Sequence, residues 1–402
     1  MNFVTNGVGT VFTEKNMKSI KWNEQLTKSA CPPLSRPWIP TAPLSESRPS
    51  CIFTVMTYNV LSSSYATPTM YGYCPREYLD WQVRGQNVMS EIYQYNNDII
   101  CLQEVEMEQF DYFFLPNLQN MGYEGVFVPK SRASTMSEPK RRLVDGCAIF
   151  WKINKFSLET SKLVEYKALA LQGRADSSDM MNRVWTRDNI GLLAVLKTTA
   201  AAWTHGPPVD PNNIEQLVVV ANTHLHWDPK FPDVKTIQSM MLTKEIISMV
   251  ENVRRSFNCH ERILKFSDVK VLLCGDFNSL MDSGVFQFLS TGQLPLSHPE
   301  FQGFNYINAI VNMMGGECCG KITHPLNLSS ACSPQIMPYT NYTYGFKAMI
   351  DYIFYSSSNL MCLGVYGPIP QEWFDMFSVV GCPHPFVPSD HFPVIAAFQL
   401  TA

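Results

Sequence analysis

Six places along the chain carry side chains that bind cations or move protons, and each lies at the edge of an apolar run. They are Tyr58-Asn59, Gln103-Glu104, Thr223-His224-Leu225-His226, Gly275-Asp276-Phe277-Asn278, Asp351 and Ser389-Asp390-His391. Open sheets gather ligands at strand ends, where loops converge without giving up ladder hydrogen bonds. Singly, each group has an ordinary structural use: Asn59 as a turn cap, Glu104 as a solvated helix-start acid, Asp276 in an Asx-turn, His391 as a hydrogen-bonded histidine. Jointly they ask for more, because carboxylates, carboxamides and imidazoles are costly to cluster unless a cation or substrate pairs them. The carboxylates of Glu104, Asp276 and Asp390 with the carboxamides of Asn59 and Asn278 offer hard oxygens, which suit Mg²⁺ or Mn²⁺ better than zinc. An ion held this way accepts phosphate oxygens, so the substrate class is a phosphate ester. A zinc hydrolase opening on His224-Leu225-His226-Trp227-Asp228 would need a further histidine directly after Asp228, where the chain has Pro229.

The elements that must position these groups alternate as in an α/β domain. Short β-branched or aromatic runs predict strands at Phe53 to Tyr58, Asp98 to Gln103, Gly146 to Trp151, Ile190 to Leu196, Gln216 to Asn222, Val269 to Cys274, Met349 to Tyr355 and Val394 to Leu400. Amphipathic stretches predict helices at Arg76 to Tyr95, Glu108 to Asn120, Asp233 to Ser256 and Gly284 to Leu289. In the third, Leu242, Ile246, Val250 and Val253 fall on one face, a core stripe. Thr198 to Asn213, with its Gly206-Pro207-Pro208 breaker, and Gly292 to Pro338 read as long loops.

Residues 1–50 have neither period and end with Pro32, Pro33, Pro37, Pro40, Pro43 and Pro49 within 18 positions. They read as a Pro-rich extension or linker ahead of one domain over 51–402. No internal repeat appears, and residues 1–50 lack the spaced leucines of a leucine-rich repeat. Of 402 residues 46% are hydrophobic and 16% charged, which excludes a disordered tail or a fibre. The net charge of −4 supplies no global field for RNA, so any such contact needs a local basic patch. The basic loop of Lys130, Arg132, Lys140, Arg141 and Arg142 either steers RNA or is simply solvated. The twelve cysteines include only one close pair, Cys318-Cys319, and this is no zinc or redox spacing. Without an apolar leader or a membrane-length run, the expectation is a protein of a reducing compartment, cytoplasmic and also nuclear, with no membrane partner. Asn327-Leu328-Ser329 and Asn341-Tyr342-Thr343 are accordingly loop residues rather than glycosylation sites.

With these residues in hand the chain resembles the endonuclease/exonuclease/phosphatase superfamily, and within it the nuclease domain of the carbon-catabolite-repressor-type poly(A) deadenylases, the catalytic subunits of the Ccr–Not complex. The resemblance runs from about Phe53 to Phe398 and is carried by Thr57-Tyr58-Asn59-Val60-Leu61, Tyr71-Gly72-Tyr73-Cys74-Pro75, Leu102-Gln103-Glu104-Val105-Glu106, Val144-Asp145-Gly146-Cys147-Ala148-Ile149-Phe150, His226-Trp227-Asp228-Pro229, Gly275-Asp276-Phe277-Asn278-Ser279, Ile350-Asp351-Tyr352-Ile353-Phe354-Tyr355 and Pro388-Ser389-Asp390-His391. It implies a four-layer α/β sandwich of the DNase I-like kind, with two mixed sheets flanked by helices. It implies Glu104 as the main metal ligand with Asn59, Asp276 to orient or deprotonate the attacking water, and Asn278 to hold the scissile phosphate. Asp351 would pair with His391 on the phosphate oxygen, Asp390 would serve a second metal position, and His224 would lie beside the phosphate.

The substrate implied is single-stranded RNA, the 3′ poly(A) tail of messenger RNA, degraded to 5′-AMP. Phe346 and Pro229 match the positions that sandwich adenine, Asn278 touches its edge, and Arg183 is a phosphate clamp or a structural ion pair. The family subunits dock partners through leucine-rich repeats, so binding to other Ccr–Not subunits is left open by residues 1–50. Two other readings stand beside this one: a superfamily phosphatase or phosphodiesterase acting on another RNA end or nucleotide ester, and a catalytically silent RNA-binding scaffold.

Overall fold

The computed structural model describes residues 36–172, 177–257, 264–316 and 319–402. Expectations on residues 1–35 and on Cys318 lie outside the described residues. Two mixed sheets stack face to face. The strands of the first are β1 (Trp38–Pro40), β2 (Ser50–Asn59), β3 (Ile99–Glu106), β4 (Tyr123–Pro129) and β5 (Asp145–Lys152). The second contributes β6 (Phe156–Glu165), β7 (Ile190–Thr198), β8 (Leu217–His224), β9 (Lys270–Asp276), β10 (Leu328–Ser330) and β11 (Asp351–Ser356), and the chain then returns to the first with β12 (Met361–Tyr366) and β13 (Val394–Thr401). The order is β1-β12-β13-β2-β3-β5-β4 in the first sheet, with Trp203–His205 paired on β2, and β10-β11-β9-β8-β7-β6 in the second. Only β2/β3 and β8/β9 run parallel among these neighbours.

Strands such as β8, buried along its whole length, read as continuous apolar runs because each sheet is covered on both faces. Helix α1 (Trp81–Tyr95) covers the outer face of the first sheet, where Val88, Met89 and Ile92 meet Met56, Tyr58, Ile100 and Leu102. Helix α2 (Pro232–Phe257) covers the second, and its stripe of Leu242, Ile246, Val250 and Val253 is buried. A Cβ at Gly191 would lie 2.8 Å from Leu242 Cδ1, so glycine there lets the helix approach the sheet. The layers are helix, sheet, sheet, helix, the four-layer α/β sandwich that the sequence implied. Between the sheets sits a polar bridge: Asn222 Nδ2 donates to Leu102 O (2.9 Å) and Ala148 O (2.8 Å), and Gln103 Nε2 donates to Asn222 Oδ1 (2.7 Å). No helix among the described residues is long and apolar enough to cross a membrane.

The expected strands are all present, shifted by up to three residues at an end. The expected linker is corrected over residues 36–50. Arg36 is buried and donates to Gly367 O and Pro393 O, both at 2.7 Å, and β1 adds antiparallel to β12. Prolines suit this edge, since a missing N–H costs nothing on the side that faces no partner. The helix expected from Arg76 starts instead at Trp81, behind the N-cap Asp80 that accepts from Gln82 N. No strand was expected at β4, β6 or β12, and Gly292 to Pro338, expected as loop after helix α3 (Gly284–Thr291), holds the antiparallel pair Gln293–Pro295 and Lys321–Thr323, helix α4 (Ile307–Met314) and β10.

Candidate active site

The strand ends converge through register. Asp276, the last residue of β9, sits opposite His224 on β8 and opposite Asp351 on β11, so three side chains form one row. Asn59 ends β2 opposite Gln103 on β3. Glu104 is thrown toward the row by a bulge between Gln103 and Val105, where its φ is +59°. Asn278 and Leu61 also hold positive φ, at +49° and +57°. Three such residues cost on the order of 1 to 3 kcal/mol each, and the surrounding bonds hold them there.

Asn59 Nδ2 donates to Glu104 Oε1 and to Asp276 Oδ2, each at 3.0 Å, tying the two sheets' carboxylates together. Its Oδ1 accepts from Leu61 N at 3.0 Å. Asn59 thus presents its nitrogen to the two carboxylates and orients them. Ser62 N donates to the other Glu104 oxygen at 2.8 Å. His391 Nδ1 donates to Asp351 Oδ2 at 2.8 Å, which fixes the imidazole and aims Nε2 at Asp276 Oδ2, 3.6 Å away. His224 Nε2 lies 3.6 Å from the same oxygen, and its Nδ1 lies 4.0 Å from Glu104 Oε1. Asp390 accepts from Tyr71 Oη at 2.8 Å and Asn341 Nδ2 at 3.3 Å. Asn278 N donates to Asp276 Oδ1 at 2.9 Å, and Asn278 Nδ2 donates one hydrogen to Leu225 O at 3.0 Å. An amide has two such hydrogens, so one is left for a ligand.

The electrostatics match a site that favours a positive charge. Burial, with Asp145 and Asp390 adding, pushes the Glu104 carboxyl up to about 7. Burial and then Asp351 raise Asp276 as well. Burial would make His391 less basic, but Asp351, Asp276 and Asp390 together outweigh it and hold its pKa well above the ordinary value. His224 goes the other way, to about 4, through burial and the Lys130 charge, so it is a neutral imidazole. Buried His224 Nδ1 and Asp351 Oδ1 have no hydrogen-bond partner. One group of three, Asp276, Asp351 and His391, has ligand atoms within 4.8 Å of one another. Buried oxygens under mutual repulsion, with orphaned polar atoms beside them, fit a hard divalent cation. Because Asp351 and His391 already share a hydrogen bond, Glu104 and Asp276 are the carboxylates best placed to hold it.

The remaining expectations divide. Phe346 is 46% exposed on the hairpin that pairs Asn341–Tyr342 with Lys347–Ala348, and that hairpin is bridged to His391 through Asn341. Pro229 is exposed in the loop between β8 and α2. Arg183 is committed elsewhere: its Nε and Nη2 reach the two oxygens of fully buried Asp233 at 2.7 and 2.9 Å, and its guanidinium stacks on Phe231 and Phe304. Of its two readings, the structural ion pair is the one present, since breaking it would strand a buried carboxylate. The basic loop also splits. Lys130 and Arg132 pair with buried Asp145 at 2.7 and 2.5 Å, Arg132 pairs with Asp188 as well, and Arg141 and Arg142 pair with Glu138 on the surface. Two supporting residues were missed. Tyr71 lies in a motif that carried the resemblance but had no role, and Thr340, whose hydroxyl donates to Asp351 Oδ2 at 2.6 Å, falls between the expected loop that ends at Pro338 and the expected strand that begins at Met349.

Two stacked mixed sheets with carboxylates and imidazoles gathered at their strand ends define a protein of the DNase I-like fold class. The chain belongs to the Endonuclease/Exonuclease/phosphatase family, which it matches over residues 56–231 and 260–391. It is 43% identical over 368 residues to the CCR4-NOT transcription complex subunit 6-like of Danio rerio, covering 90% of this chain and 66% of that protein. It is 39% identical over 364 residues to the CCR4-Not complex 3'-5'-exoribonuclease subunit Ccr4 of Schizosaccharomyces pombe, covering 87% of this chain and 49% of that protein. The chain thus spans about two thirds of the first relative's length and about half of the second's. Among solved structures it is similar to ANGEL2, a 2',3'-cyclic phosphatase, in complex with adenosine-2',3'-vanadate, with a TM-score of 0.68 and 26% identity over 91% of this chain and 99% of that one. The human Nocturnin catalytic domain, at 19% identity and a TM-score of 0.55 over 92% of this chain and 99% of that one, shares the fold.

Proposed function

We propose that this chain is a Mg²⁺-dependent 3′-to-5′ exoribonuclease that shortens the poly(A) tails of messenger RNA and releases 5′-AMP. The observation that carries the reading is the row of His224, Asp276 and Asp351 with Glu104 and His391 against it, a set suited to an in-line attack on a phosphodiester. Names of relatives at 38 to 43% identity, which include a 3'-5'-exoribonuclease subunit, support the same class of reaction. Glu104 and Asp276 would hold the ion, which when bound neutralises charge on the phosphate and lowers the pKa of water.

The chain's own groups do the rest. Asp276, made more basic by burial and by Asp351, accepts the proton of the attacking water. His391, cationic and fixed by Asp351, donates from Nε2 to a phosphate oxygen as charge develops there. Neutral His224 offers a second donor, and the free Asn278 hydrogen holds the phosphate or the adenine edge. Phe346 and Pro229 are the stacking surfaces for the terminal base. The protein acts on RNA in the cytoplasm and the nucleus, and other subunits of a Ccr–Not complex are its partners.

The test is a 5′-labelled RNA with a mixed body and an A-tail, incubated with Mg²⁺, with EDTA and Asp276→Ala as controls. Metal- and Asp276-dependent shortening that slows at the body is the expected result. The likeness to a cyclic phosphatase favours one second reading, removal of a terminal phosphate, and an intact tail with release of inorganic phosphate or opening of a 2′,3′-cyclic end would select it.

A further inference from the structure

We propose that Arg84, on α1 and outside the catalytic row, is a positioning residue that clamps together the two loops carrying Asn59 and Asp390-His391. Its side chain is 1% exposed. Nε donates to Leu79 O at 3.1 Å, and the single nitrogen Nη1 donates both to Val60 O at 3.1 Å and to Pro388 O at 3.2 Å. Val60 directly follows Asn59, and Pro388 directly precedes Ser389-Asp390-His391. The two carbonyls lie 24 and 304 residues from Arg84 in sequence, so the guanidinium joins segments that no strand ladder joins at this point. A second tie crosses the same junction: Ser389 Oγ donates to Asn59 O at 2.7 Å.

The choice of an arginine is informative. A buried cation bonded only to neutral carbonyls is costly unless negative charge lies close by. Burial lowers its pKa from the ordinary value, and the carboxylates that oppose burial are Asp390 and Glu104, both at the site. Nη2 is buried without a hydrogen-bond partner, so full satisfaction of the fork is not what keeps the residue. The Trp81 ring, 5.4 Å from the guanidinium, screens it from solvent on the helix side. Arg84 therefore sets two things at once: the spacing between the Asn59 and Asp390-His391 loops, and a fixed positive charge behind the carboxylates. The inference rests on the proposed hydrolysis at this site, and its failure is separable from failure of that reading.

The experiment compares wild type, Arg84→Lys, Arg84→Ala, Ser389→Ala and the Arg84→Lys/Ser389→Ala double variant on A-tailed RNA, with urea unfolding of each. Arg84→Lys keeps the charge but loses the fork, and it is expected to lower kcat about 10- to 100-fold with KM within about threefold, because small misplacements of reacting groups cost that much. Ser389→Ala, which leaves the core filled, is expected to lower kcat about 3- to 10-fold, and the double variant to fall short of the product of the two losses, since both ties act on one junction. Added guanidinium at millimolar concentration is expected to restore kcat in Arg84→Ala. An unchanged kcat in Ser389→Ala, strict additivity, or kcat losses that only track the unfolded fraction would overturn the clamp, with Ser389→Ala deciding if Arg84 variants do not fold. A wild type without nuclease activity would instead refute the exoribonuclease reading.

Discussion

Replacing Asp351 by Asn tests the charge of the Asp–His pair and little else. Asp351 Oδ2 accepts both the Thr340 hydroxyl at 2.6 Å and His391 Nδ1 at 2.8 Å, whereas Oδ1 has no partner. An Asn amide oxygen in the Oδ2 position keeps both bonds, and its NH₂ takes the vacant side. What is lost is one unit of negative charge. At 2.8 Å the gross attraction between unit charges at an effective dielectric of about 20 is on the order of 6 kcal/mol. The difference between a charged and a neutral hydrogen bond sets a floor on the order of 1 to 2 kcal/mol. A fall in kcat of about 100- to 1,000-fold lies between these limits, about 3 to 4 kcal/mol of activation free energy. The pH dependence has a definite sign. Asp351 is the largest of the charges that raise the His391 pKa against burial, so its removal lowers that pKa, and the alkaline limb of the activity profile begins at lower pH in the variant. The assay is single-turnover shortening of 5′-labelled A-tailed RNA across neutral and mildly alkaline pH, with the unfolding midpoint as a check on folding. A variant within about threefold of wild type at every pH would refute the role given to the pair.

Three further outcomes are expected. Glu104 titrates at about 7 in the folded protein against an ordinary 4.5, so the folded state holds the extra proton between these values and stability in EDTA falls as pH rises through that window, by at most about 3 kcal/mol. Adding Mg²⁺ should therefore raise the urea midpoint more above pH 7 than at pH 5, and no metal-dependent shift at pH 8, or the same shift in Glu104→Ala, would contradict the cation assignment. Asn222→Leu strips the amide donor from the buried Leu102 and Ala148 carbonyls, while Gln103 Nε2 keeps Thr57 Oγ1 and Cys101 O, at a cost of about 2 to 4 kcal/mol by urea unfolding; a loss below about 0.5 kcal/mol would mean the inter-sheet bridge is dispensable. Arg36→Ala strips donors from Gly367 O and Pro393 O and is expected to lower stability by about 2 to 3 kcal/mol, while an unchanged midpoint would return that segment to the status of a tether.

The strands were legible because burial on both faces demands unbroken apolar runs, as in β8 and β9. Those that escaped are the ones exposed on one side. In β6 every residue from Ser157 to Leu163 is exposed or half-buried, so the apolar signal is diluted, and β1 hides among prolines that an edge tolerates. Helix α4 was lost inside an apparent loop: it is as short as α3, eight residues, but lacks a side-chain N-cap such as Ser283 gives α3.

The site residues were legible for a related reason. Polar groups that abruptly end apolar strands have few structural uses: Asn59, His224, Asp276 and Asp351 stand at strand ends, Glu104 two residues inside the end of β3, and His391 three residues before β13. Their types and order along the chain determined the chemistry on offer: hard oxygens and two imidazoles. Only the tertiary structure decided how each is used. Register across β8, β9 and β11 makes a row of three residues distant in sequence, and a bulge with positive φ turns Glu104 toward it. Partner identity then sorts residues of like type: Arg183 goes to buried Asp233, Arg84 to two loop carbonyls, and one histidine becomes cationic while the other stays neutral. Such assignments depend on distances of a few ångströms and on local burial, which arise between segments hundreds of residues apart and leave no trace in the order of either segment alone.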